Sequence, residues 1–210
     1  MDEQENQELT RTPDGHDLLP ELFHMRTVAE QLGQTPHLSP LLRKLRAVGL
    51  VAPDDLRRLA VARGCGHYQR PDDQDRPLDP RTAQVPNLEL AIAMVTAAQS
   101  FDPVLVRCAA QLLSGDDISV EAIVRLAVQE RAVQVILYIA KAGLEMDLIG
   151  QDKWRHLLDE LPAAPEVSEG RLPHRTRFVS QSGVSRVNGL LQRTSRSVWL
   201  RPEPRVKVER

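Results

Sequence analysis

The run VQVILYIAKAG, residues 133–143, offers Gln134 and Lys141 as its only strongly polar side chains. A run of this length is long for a strand and ample for a helix, and a helix without a wide polar face has to be enclosed by other elements. The chain therefore needs a core built around this segment. Aromatic residues make up only 3% of the sequence, so that core is made of Leu, Val, Ile and Ala, a set that suits helix-on-helix packing better than sheet-on-sheet packing. With 210 residues and 41% hydrophobic content there is enough apolar material for it. The expected fold is all-α, a small helical bundle or stacked helical hairpins, with a disordered N-terminal lead and a basic C-terminal tail.

Start and stop signals place the helices. Asp102 precedes Pro103, so a carboxylate can accept from free backbone N–H groups where proline has none to leave unpaired. Ser119 caps the next helix, Pro53-Asp54-Asp55 opens a short earlier one, and Asn87 begins one with apolar residues on two faces. Trp154, Leu157, Leu158 and Leu161 recur at helical spacing up to Pro162. Between the helical runs, Pro71, Pro77, Pro80 and Pro86 forbid a continuous helix. The organisation expected from these signals is a disordered lead at 1–16, a helical block at 17–65, a Pro-rich linker at 66–86, a helical core domain at 87–161 and a basic, largely disordered tail at 162–210.

The net charge of -2 conceals an asymmetry. From Gly170 to the end there are nine Arg and one Lys against Glu203 and Glu209, a net +8, which leaves -10 on the rest. An acidic body with a basic tail favours a polyanion, an acidic partner or the protein's own body. Two cysteines, Cys65 and Cys108, are too few for a disulfide framework and fit a reducing cytoplasm. The acidic start, MDEQENQELT, has neither the basic nor the apolar region of a signal peptide, and no apolar run approaches the length of a membrane span.

Residues 26–51 read RTVAEQLGQTPHLSPLLRKLRAVGLV, with Ala29, Gly33, Leu38, Leu42 and Leu45 where two packed helices and their turn need small or apolar residues. The stretch resembles the helix-turn-helix of bacterial winged-helix regulators. That resemblance implies a DNA-binding regulator with Arg43, Lys44, Arg57 and Arg58 as phosphate contacts. The same residues also fit a plainer account, in which Pro36 and Pro40 start a helix over 41–47 whose solvated face holds Arg43, Lys44 and Arg46. Pro40 stands where a recognition helix would already have begun, and APDDLRRLAVARG after Val51 reads as a helix where a regulator would have a wing.

In the tail, Arg175, Arg177, Arg186, Arg193 and Arg196 alternate with Phe178 and Trp199, a mixture suited to phosphates and exposed bases. Val184, Val187, Leu190 and Leu191 would instead form an apolar stripe if the segment became a helix on a protein partner. Catalytic signals are few: there is no phosphate loop, nucleophile elbow, HExxH or GxGxxG. The cluster GCGHY at 64–68 sets a thiol near an imidazole, so Cys65 and His67 are the one candidate nucleophile and base, or metal pair; the plainer reading makes Gly64 and Gly66 helix-end punctuation. No cofactor or metal is implied. The expected function is a non-enzymatic helical interaction or adaptor protein whose basic tail engages an acidic protein partner, with the DNA-binding regulator as the alternative.

Overall fold

The structure, a computed structural model, describes residues 39–96, 101–167, 170–180, 184–187, 190–193 and 198–203. The expected lead at 1–16, the helix before Gly33, the first half of the 26–51 stretch and Arg196 lie outside the described residues.

The fold is mostly helical, as the composition requires. Among the described residues seven α-helices follow one another: α1 (Pro40–Ala47), α2 (Pro53–Ala62), α3 (Asn87–Met94), α4 (Pro103–Leu113), α5 (Val120–Gln129), α6 (Val133–Met146) and α7 (Gln151–Glu160). Their starts obey capping chemistry. Ser39 Oγ accepts from Leu42 N at 3.2 Å ahead of Pro40, and Asp102 Oδ1 accepts from Val104 N at 2.7 Å and Leu105 N at 3.1 Å ahead of Pro103. Ser119 Oγ does the same for Ala122 N at 3.3 Å. Helix α1 ends at Gly49, whose φ of +87° lets Leu50 N reach back to Leu45 O at 3.0 Å.

Among the described residues, helices α3 and α4 are the most enclosed elements. Leu90, Ala91, Ile92, Ala93 and Met94 are all fully buried, because α3 packs against α1, α2, α4 and α5. The expectation had put α6 in that place. Helix α6 does bury Val135, Ile136, Ile139 and Ala140 against α5 and α7, but Lys141 is exposed and Leu137 and Tyr138 are half-buried on its far side. Gly143 lets α6 and α7 close up: a Cβ there would meet the Trp154 ring at 2.5 Å.

Residues 66–86, expected as a linker, wind into three 3-10 turns, Gly66–Tyr68, Pro71–Asp75 and Pro80–Gln84, and bury Tyr68, Thr82 and Val85. The helices on either side pack directly on one another, α2 against α3 and α4. The prolines that forbid an α-helix open two of these turns.

Part of the expected tail is ordered against the helices. A 3-10 turn, Arg175–Phe178, leads into β1 (Val179–Ser180), which pairs antiparallel with β4 (Val198–Trp199). Between them β2 (Val184–Val187) pairs with β3 (Leu190–Arg193) in the register Val184↔Arg193 to Val187↔Leu190. Val184, Val187, Leu190 and Leu191, which would form a stripe in a helix on a protein partner, lie here on two paired strands. Beyond β4, Glu203 N donates to Gly64 O at 3.0 Å, joining the end of the described chain to the end of α2. Among the described residues no helix is long and apolar enough to cross a membrane.

Candidate docking cleft

Four of the chain's seven aromatic side chains form one row. Trp154 on α7 lies 5.5 Å from Trp199, Trp199 stacks on Phe178 at 5.5 Å, and Phe178 lies 6.3 Å from Tyr138 on α6. Trp154, Phe178 and Trp199 are buried. A chain with so few aromatics spends its largest apolar surfaces on seating β1 and β4 against α6 and α7. Phe178 and Trp199, expected to stack on bases, are occupied in this way.

Next to the aromatic row a second anchor is electrostatic. Arg201 Nη2 sits 2.8 Å from Asp147 Oδ2 and 3.0 Å from Oδ1, while Arg201 Nη1 donates to Ser114 O at 2.7 Å. Asp147 also accepts from Trp154 Nε1 at 2.8 Å, so this buried carboxylate is satisfied from two sides. Gly150 leaves room for the pair: a Cβ there would stand 2.8 Å from Arg201 Nη2. On the other side Gln111 Nε2 donates to Arg201 O at 2.6 Å and Gly64 O at 3.3 Å.

These elements wall a cleft of about 660 Å³ between the loop after α6 and residues 198–203, within the usual range for ligand and peptide sites. Its rim is apolar and wet: Leu148 is 60% exposed, Ile149 82% and Val198 52%, and all three line the opening. Behind this lining, Trp199 Nε1 is a buried donor and Gln111 Oε1 a buried acceptor, each closed to water and without a hydrogen-bond partner among the described residues. Because both Gln111 amide hydrogens have carbonyl partners, the amide orientation is fixed and its oxygen is the end left over. An apolar mouth of this kind matches an aliphatic or aromatic side chain of a ligand.

The residues expected to meet phosphate are dispersed. Arg43 is exposed on α1, and Lys44 pairs with Glu89 on α3 at 2.7 Å. Arg57 is enclosed: its Nη1 donates to Tyr68 O at 2.9 Å and Asp73 Oδ2 at 2.8 Å, and its Nε to Asp54 Oδ1 at 2.9 Å. It holds the 66–86 segment to α2 and is not presented to a ligand. Those bonds keep the Asp73 carboxyl well below the ordinary carboxylate range. Arg58 lies in a separate cleft beside it. Arg175 pairs with Glu145 at 2.8 Å, Arg177 is exposed, and Arg186 and Arg193 lie on the hairpin opposite Leu191 and Val184.

Cys65 and His67 part company. Cys65 is buried with its Sγ 3.9 Å from Cys108 O, and the neighbouring thiol and burial push Cys108 far above the usual thiol range. His67 is exposed, edge-on to Tyr68 at 5.3 Å. Among the described residues no group of three or more His, Cys, Asp or Glu is placed to hold a metal ion.

No family model, no curated protein and no solved structure matches this chain.

The cleft was not foreseen because its walls come from residues near 67, 111, 147, 180 and 200. One signal for the surrounding hairpin was present: Asn188-Gly189 between two apolar runs is the strongest short hairpin dipeptide.

Proposed function

We propose that this chain is a non-enzymatic helical interaction module whose cleft between the α6–α7 loop and β4 takes an apolar segment of an acidic protein partner. The observation that carries the reading is the cluster of exposed Leu148, Ile149 and Val198 around a cleft of this size. Large apolar side chains held in water on a cleft rim gain most by being covered. Charge gives the partner's character: from Arg171 to Pro202 there are seven arginines and no acidic residue. The partner segment therefore presents a large apolar residue to the cleft and carboxylates to the arginine-rich stretch that precedes Arg201, which is itself paired with Asp147.

The test uses the full-length protein and two synthetic peptides, each with a Leu-Phe centre, one flanked by Asp and Glu and the other by Lys. Tryptophan emission reports binding because Trp199 lines the cleft. The acidic peptide should saturate, the lysine peptide should not, and Ile149→Asp should weaken binding by about tenfold or more, as loss of a buried apolar contact does. Equal binding of both peptides, or binding unchanged in Ile149→Asp, overturns the reading. Retention on duplex DNA that disappears in an Arg43→Ala, Lys44→Ala variant would put the DNA-binding regulator in its place.

A further inference from the structure

A second cleft, of about 540 Å³, opens on the other side of Glu203, lined by Arg58, Gly66, Gln69, Asp73, Arg76 and Leu78 among others. We infer that it is a binding site for a small carboxylate, gripped by the guanidinium of Arg58.

The argument begins with two adjacent arginines on one helix. Arg57 has a partner for each of its nitrogens. The side chain of Arg58 is almost as enclosed, at 10% exposure, yet its Nε and Nη2 have no hydrogen-bond partner. Its nearest carboxylate oxygens are Asp73 Oδ1, 3.9 Å from Nε, and Asp55 Oδ1, 4.0 Å from Nη1, both outside hydrogen-bond range. Nor are those carboxylates available. Asp73 holds the fork of Arg57 and the backbone N of Arg70 at 2.7 Å, and Asp55 Oδ2 accepts from Val51 N and Ala52 N. Nε and Nη2 form one edge of the planar guanidinium, the edge that takes a carboxylate or phosphate through two parallel bonds; both atoms are closed to water, so the side chain turns toward the ligand as it binds. Burial of a charged donor with nothing to receive its hydrogens is unfavourable, and an oxyanion on that edge removes the deficit.

The rest of the lining narrows the ligand. Arg76 is exposed and has no hydrogen bond or ion pair among the described residues, so it adds a second cation at the mouth. Asp73 and Glu203 lie on the same wall and oppose a doubly charged phosphate more than a singly charged carboxylate. Val61, Ala62, Pro77 and Leu78 supply an apolar side for the ligand body. The cleft therefore fits a small amphiphilic carboxylate, with its charge on Arg58 and its carbon skeleton toward Leu78.

The experiment is a titration of the isotope-labelled full-length protein with butyrate, benzoate, inorganic phosphate and chloride at matched ionic strength. It follows the Arg58 Nε–H resonance and the amides of Gly66 and Gln69. Butyrate or benzoate should shift all three saturably, and Arg58→Gln should weaken that binding about 10- to 100-fold, the scale of losing hydrogen bonds to a charged group. Gly66→Asp supplies a second variant, since a Cβ there meets only Glu203 Oε2 at 3.7 Å and the added carboxylate faces the ligand's own charge. It too should abolish the shifts, and it decides the matter if Arg58→Gln fails to keep the native spectrum. Shifts absent with the carboxylates, matched by chloride, stronger with phosphate, or unchanged in Gly66→Asp would each overturn the assignment.

Discussion

Helix α3 buries five successive residues, Leu90 to Met94, against four other helices, whereas residues 198–203 bury one large side chain, Trp199, and are otherwise placed by single polar contacts such as the Arg201–Asp147 pair and the hydrogen bonds at Leu200, Arg201 and Glu203. The first kind of region draws its stability from area, at about 1.5–3 kcal/mol for each large apolar side chain removed from water, so no single contact decides its position. The second depends on each contact in turn. The difference teaches where function can reside. An element held by area has little freedom to rearrange, while one held by a few polar contacts can border a cleft and answer to what enters it.

The largest expected effect falls where buried area and single contacts meet, at α7 and residues 198–203. Trp154 is fully buried, rests on Gly143, touches Trp199 and donates to Asp147. Trp154→Ala should cost about 3–5 kcal/mol in urea unfolding, the range for deleting a large buried aromatic. A cost below 1 kcal/mol would mean that α7 and β4 do not share a core.

Next comes Arg201→Met, which leaves Asp147 buried with Trp154 as its remaining partner. Removing one member of a buried pair costs about 3–5 kcal/mol, and because Arg201 is partly exposed the expectation here is about 2–3 kcal/mol. Adding Asp147→Asn should recover part of that loss, since the uncompensated charge goes with it. If the double variant is no better than Arg201→Met alone, the pair is not what holds residues 198–203.

Gly64→Ala separates the regions. Gly64 has a φ of +104°, and a Cβ there would overlap the backbone of Glu203, so the end of the strap must move while α3 is untouched. The expected loss is about 1–2 kcal/mol. Hydrogen exchange should accelerate at Glu203 N and stay slow in Leu90–Met94.

The division between area-held and contact-held regions is also the division between what was legible in the sequence and what was not. Asp102-Pro103, Ser119 and Pro53 announce their helices because a cap and its helix are neighbours in the chain, and the apolar runs at 87–95 and 133–143 announce a core. Nothing near Gly64 says that Glu203 will lie on it, and nothing near Arg57 says that Asp73 will claim its fork. The arginines illustrate the limit. On composition Arg57 and Arg58 are the same phosphate contact; in the fold one is a structural tie and the other lines a cleft with one buried edge unbonded. The apolar rim is in the same position, since Leu148 and Ile149 look like any loop hydrophobes until Val198 arrives beside them.

The smallest effect sharpens the comparison by pH. Arg57 holds the Asp73 carboxyl well below its ordinary 3.8, chiefly through the side-chain hydrogen bonds, and lowers Asp54 for the same reason. A carboxyl lowered on folding contributes stability that is fully present above its unfolded value and is lost as pH falls through the folded one. The contribution should therefore be constant above about pH 4 and decline below it, at no more than about 1.4 kcal/mol per pH unit for one proton. In Asp73→Asn that part of the acid slope should vanish, at the cost of a lower plateau at neutral pH. The helix pair α3 and α4 has no such carboxylate pair in its contact surface, so its amide protection should fall only with global unfolding, while residues 66–76 should lose protection earlier on the acid side. Simultaneous loss in both places at every pH would show that the charge-held turns and the area-held helices are one cooperative unit.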